Sequence, residues 1–333
     1  ITENVAPTVP TTSSTTTTTM PFSGGGSGGA GCSVSSILVP SCGAWLGSSV
    51  PDSNGGFDFM QGIAEYEAVA RNEPDIVHVY KSGGGAFPSR GDREVSERPG
   101  RQRSILLINW KPSMSHTWRQ IADGAADANI RSVANGIKAY PYKFFLTIWH
   151  EPENEVGRSG KTTADYVDMY RHVVQELRSL GVTNVVFVWN MMGSTNHAEM
   201  YDDLYPGHDV VDWIGYDPYG QEKVDSMSFL VNRPNPNIGW PGFYTWATRK
   251  APGKPIMLSE WGFNLKVNDA GPAALRTGAA EMKNGFPMLK AFVYWNQNAD
   301  FTPRLGQDAA YDAAYRGFAA DPYFNSTSTA KAP

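Results

Sequence analysis

The sequence predicts one α/β domain in which eight parallel strands alternate with helices and close into a (β/α)8 TIM barrel, preceded by a disordered linker rich in Thr, Ser and Gly. Three observations lead there. Eight short apolar runs are separated by segments whose apolar residues are spaced by three and four, the signature of repeated βα units. The chain has 333 residues, 41% of them hydrophobic, which suits one barrel core of about 250 residues. Two glutamates, Glu151 and Glu260, stand just past apolar runs, where a buried parallel strand ends. A carboxylate is costly to bury there without a function.

Residues 1–31 join a Thr-rich stretch, 11–19, to a Gly-rich one, 24–31. Such a composition buries too little apolar surface to offset the entropy of ordering, so a linker is expected, of the kind that tethers a further module before Ile1. The barrel is expected over 32–320 and a polar tail over 321–333. Its strands are expected at 43–46, 76–80, 105–109, 144–149, 185–189, 211–216, 256–259 and 291–295, and its helices at 58–71, 117–139, 163–180, 273–284 and 308–319. The helices after the second and sixth strands are poorly marked. Residues 81–103, rich in Gly, Pro and charge, read as a long loop that shapes a cleft on the C-terminal face of the barrel.

A formal charge of -5 argues against nucleic acid or an anionic membrane as partner, since both call for clustered Lys and Arg. An apolar run of the roughly 18 residues needed to span a bilayer is not found, nor a charged start followed by an apolar segment. Cys32 and Cys42 form a close even pair in a Ser/Thr-rich chain, which reads as one disulfide and a secreted protein, with two buried free thiols as the alternative.

The chemistry rests on the two glutamates. Hydrolysis of a glycosidic bond takes one carboxylic acid to protonate the leaving oxygen and one carboxylate across the anomeric carbon, about 5–5.5 Å apart when configuration is retained. Trp149 and Trp261 beside the carboxylates are expected to form apolar walls that raise a glutamic acid's pKa, while a donor such as Tyr219 or His150 favours the charged form of its partner. Aromatic rings at strand ends also suit pyranose faces, with Asn190, Asn296 and Gln297 available for the hydroxyls.

Taken in order, the motifs Leu107-Ile108-Asn109-Trp110, Ile121-Ala122-Asp123-Gly124-Ala125-Ala126-Asp127, Trp149-His150-Glu151, Phe187-Val188-Trp189-Asn190, Val211-Asp212-Trp213-Ile214-Gly215-Tyr216-Asp217-Pro218-Tyr219 and Ser259-Glu260-Trp261-Gly262 resemble glycoside hydrolase family 26. The resemblance implies a retaining (β/α)8 glycosidase with its acid/base and nucleophile on strands four and seven. Carried over, Glu151 is the acid/base preceded by His150, Glu260 the nucleophile, Tyr219 its hydrogen-bond donor, and Trp295 the aromatic floor under the sugar being cleaved. Trp110 and Trp189 are expected to line the same cleft. Where family members continue past the acid/base with Met-Asn-Gly and a Trp-rich stretch, this chain reads Pro152-Glu153-Asn154-Glu155.

Plainer readings stand beside these. The two glutamates have a lesser alternative as structural carboxylates paired with arginines, and the tryptophans as core. Glu153 and Glu155 read as solvated loop charges. A zinc site built on His150-Glu151 is rejected, because Asn154 stands where the second His of His-Glu-x-x-His belongs and Pro152 breaks the helix. The expectation is therefore a monomeric, secreted, retaining β-glycoside hydrolase that takes a β-linked polysaccharide and needs no metal or cofactor. An endo-β-1,4-mannanase comes first, and a β-1,3-xylanase, a mixed-linkage β-glucanase or a non-catalytic carbohydrate-binding barrel are the rivals.

Overall fold

The computed structural model describes residues 32–49, 59–297 and 304–325. The linker expected over 1–31 lies outside them. Eight parallel strands form a closed barrel: β1 (Trp45–Ser49), β2 (Ile76–Ser82), β3 (Ile105–Lys111), β4 (Phe144–Ile148), β5 (Val185–Met191), β6 (Trp213–Tyr216), β7 (Ile256–Leu258) and β8 (Leu289–Tyr294). Each pairs with its sequence neighbours, and β8 closes on β1 with Trp45 opposite Ala291. All eight expected strands are present. The first runs further than expected, to Ser49, carrying its polar end to the barrel mouth.

The strands read as continuous apolar runs because both faces are buried. Side chains alternate between two separate clusters. Trp45, Ile105, Leu107, Phe145, Val188, Trp213, Met257 and Val293 fill the barrel interior. Leu106, Ile108, Leu146, Phe187, Ile214 and Phe292 face the helices. Each strand feeds one of its faces to each cluster, as a period of two requires.

The Cys32–Cys42 pair forms the expected disulfide. The loop it closes packs Val34, Ile37, Leu38 and Val39 against the inner cluster. Two buried interior indoles donate to its backbone, Trp45 Nε1 to Leu38 O at 2.8 Å and Trp213 Nε1 to Ile37 O at 2.6 Å. The N-terminal end of the barrel is thereby plugged.

Helices Phe59–Ala70, Thr163–Ser179, Gly271–Gly285 and Ala309–Ala319 fall where expected. The long helix expected at 117–139 is two, Trp118–Ala122 and Asp127–Lys138, broken where Gly124 adopts φ +94°. The segment read as a long loop, 81–103, carries a helix, Arg90–Ser96. Its start is closed by a capping box between Ser89 and Asp92, and the buried Asp92 pairs with Lys81 at 2.7 Å. A seven-residue helix with five charged or hydroxyl side chains offers little periodicity to read. At the far end, where a polar tail was expected, Pro322–Asn325 is a helical turn with Phe324 buried against Phe318, ring centroids 4.6 Å apart. Among the described residues no helix is long and apolar enough to cross a membrane.

Candidate active site

Continuing each strand past its apolar interior residues gives a layer of inward polar side chains at the C-terminal mouth. On β2 the positions after Ile76 are His78 and Tyr80; on β3 Leu107 is followed by Asn109; Phe145 leads to Thr147, Val188 to Asn190, Trp213 to Asp217 and Met257 to Ser259. The same alternation that builds the core builds the site.

Glu151 lies three residues beyond β4 and Glu260 two beyond β7. Carboxylate oxygens of Glu151, Asp217 and Glu260 all lie within 4.8 Å of one another. Glu260 is buried and receives two hydroxyl donors, Tyr80 Oη to Oε1 at 2.6 Å and Tyr219 Oη to Oε2 at 2.7 Å. Tyr219 is held there by a short parallel pairing of Tyr219–Gly220 with Gly262–Phe263, which ties the loop after β6 to the loop bearing Glu260. Glu151 receives one amide donor, Asn154 Nδ2 at 3.1 Å. Its backbone N–H donates to Asn190 O at 3.1 Å, and both Trp149 and Glu151 are left-handed, at φ +55° and +49°.

Burial raises the Glu151 carboxyl, opposed by the Asn154 amide and the Lys111 charge. Burial and then the charge of Glu151 push Glu260 up to about 8, against the two tyrosine hydroxyls. Asp217, fully enclosed, is held well above the carboxylate range by burial, then by Glu260 and Glu151. Three carboxyls this close cannot all ionise, so they share protons near neutral pH. Two short O–H donors localise negative charge on Glu260; Glu151, with a single donor, is where a proton rests. Asp217 accepts from Asn190 Nδ2 at 2.6 Å. By spacing this trio is also where a cation would sit, but both Glu260 oxygens and one oxygen each of Glu151 and Asp217 already accept from O–H or N–H donors, a set that suits shared protons better than a metal.

The other site residues expected from sequence divide. Trp295 is partly exposed at the mouth and meets Tyr80 edge-on at 5.6 Å. His150 also meets the Tyr80 ring edge-on, at 5.6 Å, and desolvation lowers it to about 4, so it is neutral. Trp110, Trp189 and Trp261 do not line the cleft. Each has no exposed surface. Trp110 packs on Phe87, Trp189 on Tyr205 and Trp246, and Trp261 on Tyr294 and Tyr315. Trp110 and Trp189 are the chain neighbours of the inward Asn109 and Asn190, so the pleat turns them outward. Asn190, expected to meet sugar hydroxyls, is fully buried and instead holds Asp217. Gly215 makes room for that contact: a Cβ there would run into Asn190 Oδ1 and Ser259 Oγ.

Glu153 and Glu155 are not solvated charges. Glu153 is buried, accepts from Met192 N at 2.6 Å and is raised to about 8 by burial. Glu155 is half-buried and, against the effect of burial, hydrogen bonds from Lys161, Lys111 and Trp149 hold it down to about 2. Tyr80 and Asp217 are the functional side chains sequence reasoning did not single out. Their signal was positional: both fall on the inward phase of their strands.

A closed (β/α)8 barrel with paired carboxylates at the ends of strands four and seven defines the class. Comparison with known proteins narrows it. The model of Glycosyl hydrolase family 26 matches residues 129–233. Endoglucanase H of Acetivibrio thermocellus is 24% identical over 287 residues, 82% of this chain and 30% of that protein. Beta-1,3-xylanase TXYA of a Vibrio species is 29% identical over 171 residues, 48% of this chain and 34% of that protein. The modular endo-β-1,4-mannanase of Cellulomonas fimi shares the fold, with a TM-score of 0.59 at 17% identity over 84% of this chain and 71% of that one. The segment matched by the family model is thus similar to glycoside hydrolase family 26, the family its motifs resemble. The chain spans about a third of the length of the two curated relatives.

Proposed function

We propose that this chain is a retaining β-glycoside hydrolase acting on a β-linked polysaccharide, with Glu260 as nucleophile and Glu151 as acid/base. The observation that carries the reading is the approach of the Glu151 and Glu260 oxygens to within 4.8 Å. That leaves no room for the water an inverting enzyme places between carboxyls about 6.5–9.5 Å apart. In the first step a Glu260 oxygen attacks the anomeric carbon, the glycosidic C–O bond breaks, and Glu151 passes its proton to the departing oxygen. In the second, Glu151 takes a proton from water as that water attacks the same carbon, and the Glu260 ester bond breaks with net retention. Tyr80 and Tyr219 hold the charge on Glu260, Asp217 stays protonated beside it, and the partly exposed Trp295 offers its face to the sugar.

Within this reading the preferred substrate is β-1,4-mannan, with the enzyme secreted, as its disulfide suits. The similarity to a β-1,3-xylanase supports β-1,3-xylan as a second substrate to test. Reducing-sugar release and product analysis on mannan, β-1,3-xylan and mixed-linkage glucan decide among them. Glu260→Ala abolishes turnover with the fold retained; near-wild-type hydrolysis by that variant, or α-configured first products from a β-linked substrate, would overturn the mechanism. Sugar binding without any hydrolysis would make the barrel a carbohydrate-binding module instead.

A further inference from the structure

Glu155 gathers three donors from three parts of the barrel mouth. Trp149 Nε1 reaches its Oε1 at 2.9 Å, Lys111 Nζ at the end of β3 reaches the same oxygen at 3.0 Å, and Lys161 Nζ takes Oε2. Both ammonium groups also lie over the Trp149 ring, 5.0 Å and 5.1 Å from its centroid, and Lys161 is 5.2 Å from that of Trp118. Trp149 N in turn donates to the carbonyl of Trp110, next to Lys111, at 2.9 Å. Two residues on, Glu151 sits in a left-handed conformation that a glutamate keeps only where its surroundings fix it.

We propose that Glu155 is the positioning residue of the acid/base: it pins Trp149, and with it the turn that bears Glu151, and it fixes Lys111 as a cation beside that turn. The inference rests on the acid/base role given to Glu151. Lys111 and Lys161 against Glu155 leave one net positive charge, and Lys111 stands close enough to act on both His150 and Glu151. The other titratable groups facing Glu151 are Asp217, Glu260 and Tyr219 across the mouth, with Glu153 and Tyr201 behind it. These are carboxyls and phenols, so the Lys111 charge is the counterweight that keeps the proton on Glu151 removable.

The sign follows. Losing the lysine charge makes Glu151 hold its proton more tightly; losing the Glu155 charge leaves the cluster more positive and does the reverse. The test is the pH dependence of kcat/KM for the wild type, Lys111→Met, Glu155→Gln and Lys111→Arg on whichever polysaccharide is turned over, with circular dichroism as the fold check. The alkaline limb, which reports the acid in the free enzyme, moves up in Lys111→Met and down in Glu155→Gln, each by about half a unit to one unit for a charge at this partly exposed position. Lys111→Arg returns it towards the wild-type position. Equal-signed shifts, or none, overturn the proposal while leaving the glycosidase reading intact. Should Glu155→Gln not fold, the Lys111→Met shift and its reversal by Lys111→Arg decide alone. Should the wild type hydrolyse nothing, that reading fails, and a carboxyl 13C titration still decides the positioning role. In it the Glu151 resonance, assigned by its loss in Glu151→Gln, shows the same opposed shifts or refutes the proposal.

Discussion

Replacing Tyr219 by Phe removes one hydroxyl and little else. The ring stays, because the pairing of Tyr219–Gly220 with Gly262–Phe263 holds its backbone. What goes is the 2.7 Å hydrogen bond to Glu260 Oε2, leaving Tyr80 on Oε1 at 2.6 Å as the remaining hydroxyl donor. A hydrogen bond to a charged group is worth about 1.5–3 kcal/mol, and it acts on the ionised form alone, so at 1.36 kcal/mol per unit the Glu260 pKa rises by about 1–2 units. The nucleophile must be ionised, so the acid limb of kcat/KM moves up by that amount, and activity below it falls about 10- to 100-fold. Profiles of kcat/KM against pH for wild type and variant, with thermal melting to check the fold, read this directly. An acid limb that stays in place would show that the hydroxyl does not support the charge on Glu260, and the electrostatic assignment of the pair would fall with it. Tyr80→Phe, acting on the other oxygen, gives a shift of the same sign.

Three further outcomes are expected. Glu151 and Glu260, both raised by burial, keep between them a proton that the unfolded chain releases, so the pair costs stability progressively as pH rises from about 4 to 8; Glu260→Gln removes the like-charge repulsion and most of that slope, stabilising by on the order of a few kcal/mol above pH 8 and by nothing below about pH 4 in urea titrations at several pH values. Opening the Cys32–Cys42 plug, a separation of 10 residues, with Cys32→Ser/Cys42→Ser lowers stability by about 3 kcal/mol, and leaves kcat at low temperature little changed because the loop seals the end opposite the site. Trp189→Leu, which hollows packing against Tyr205 and Trp246, lowers Tm through a loss of about 2–4 kcal/mol with KM unchanged, whereas Trp295→Ala raises KM with little change in Tm; the opposite pattern would put Trp189 in the cleft after all.

The barrel was legible because doubly buried parallel strands must be apolar along their whole length, so each of the eight announces itself locally. Glu151 and Glu260 were legible for the converse reason: an ionisable side chain at the end of such a run is conspicuous. Trp110, Trp189 and Trp261 were misjudged by attending to residue type over phase, although the pleat that points Asn109 and Asn190 inward already turns their neighbours out. The sequence by itself thus determined the strand order, the phase of each strand and the two glutamates, all consequences of period and burial along one segment. Only the tertiary structure decided that Tyr80, from β2, would join Tyr219 on Glu260, that Asp217 would join the carboxyl pair, and that Glu155 would be clamped by Lys111 and Lys161 and not solvated. Those relations join residues up to 180 positions apart, and closure of the barrel is the physical event that brings them within hydrogen-bond reach.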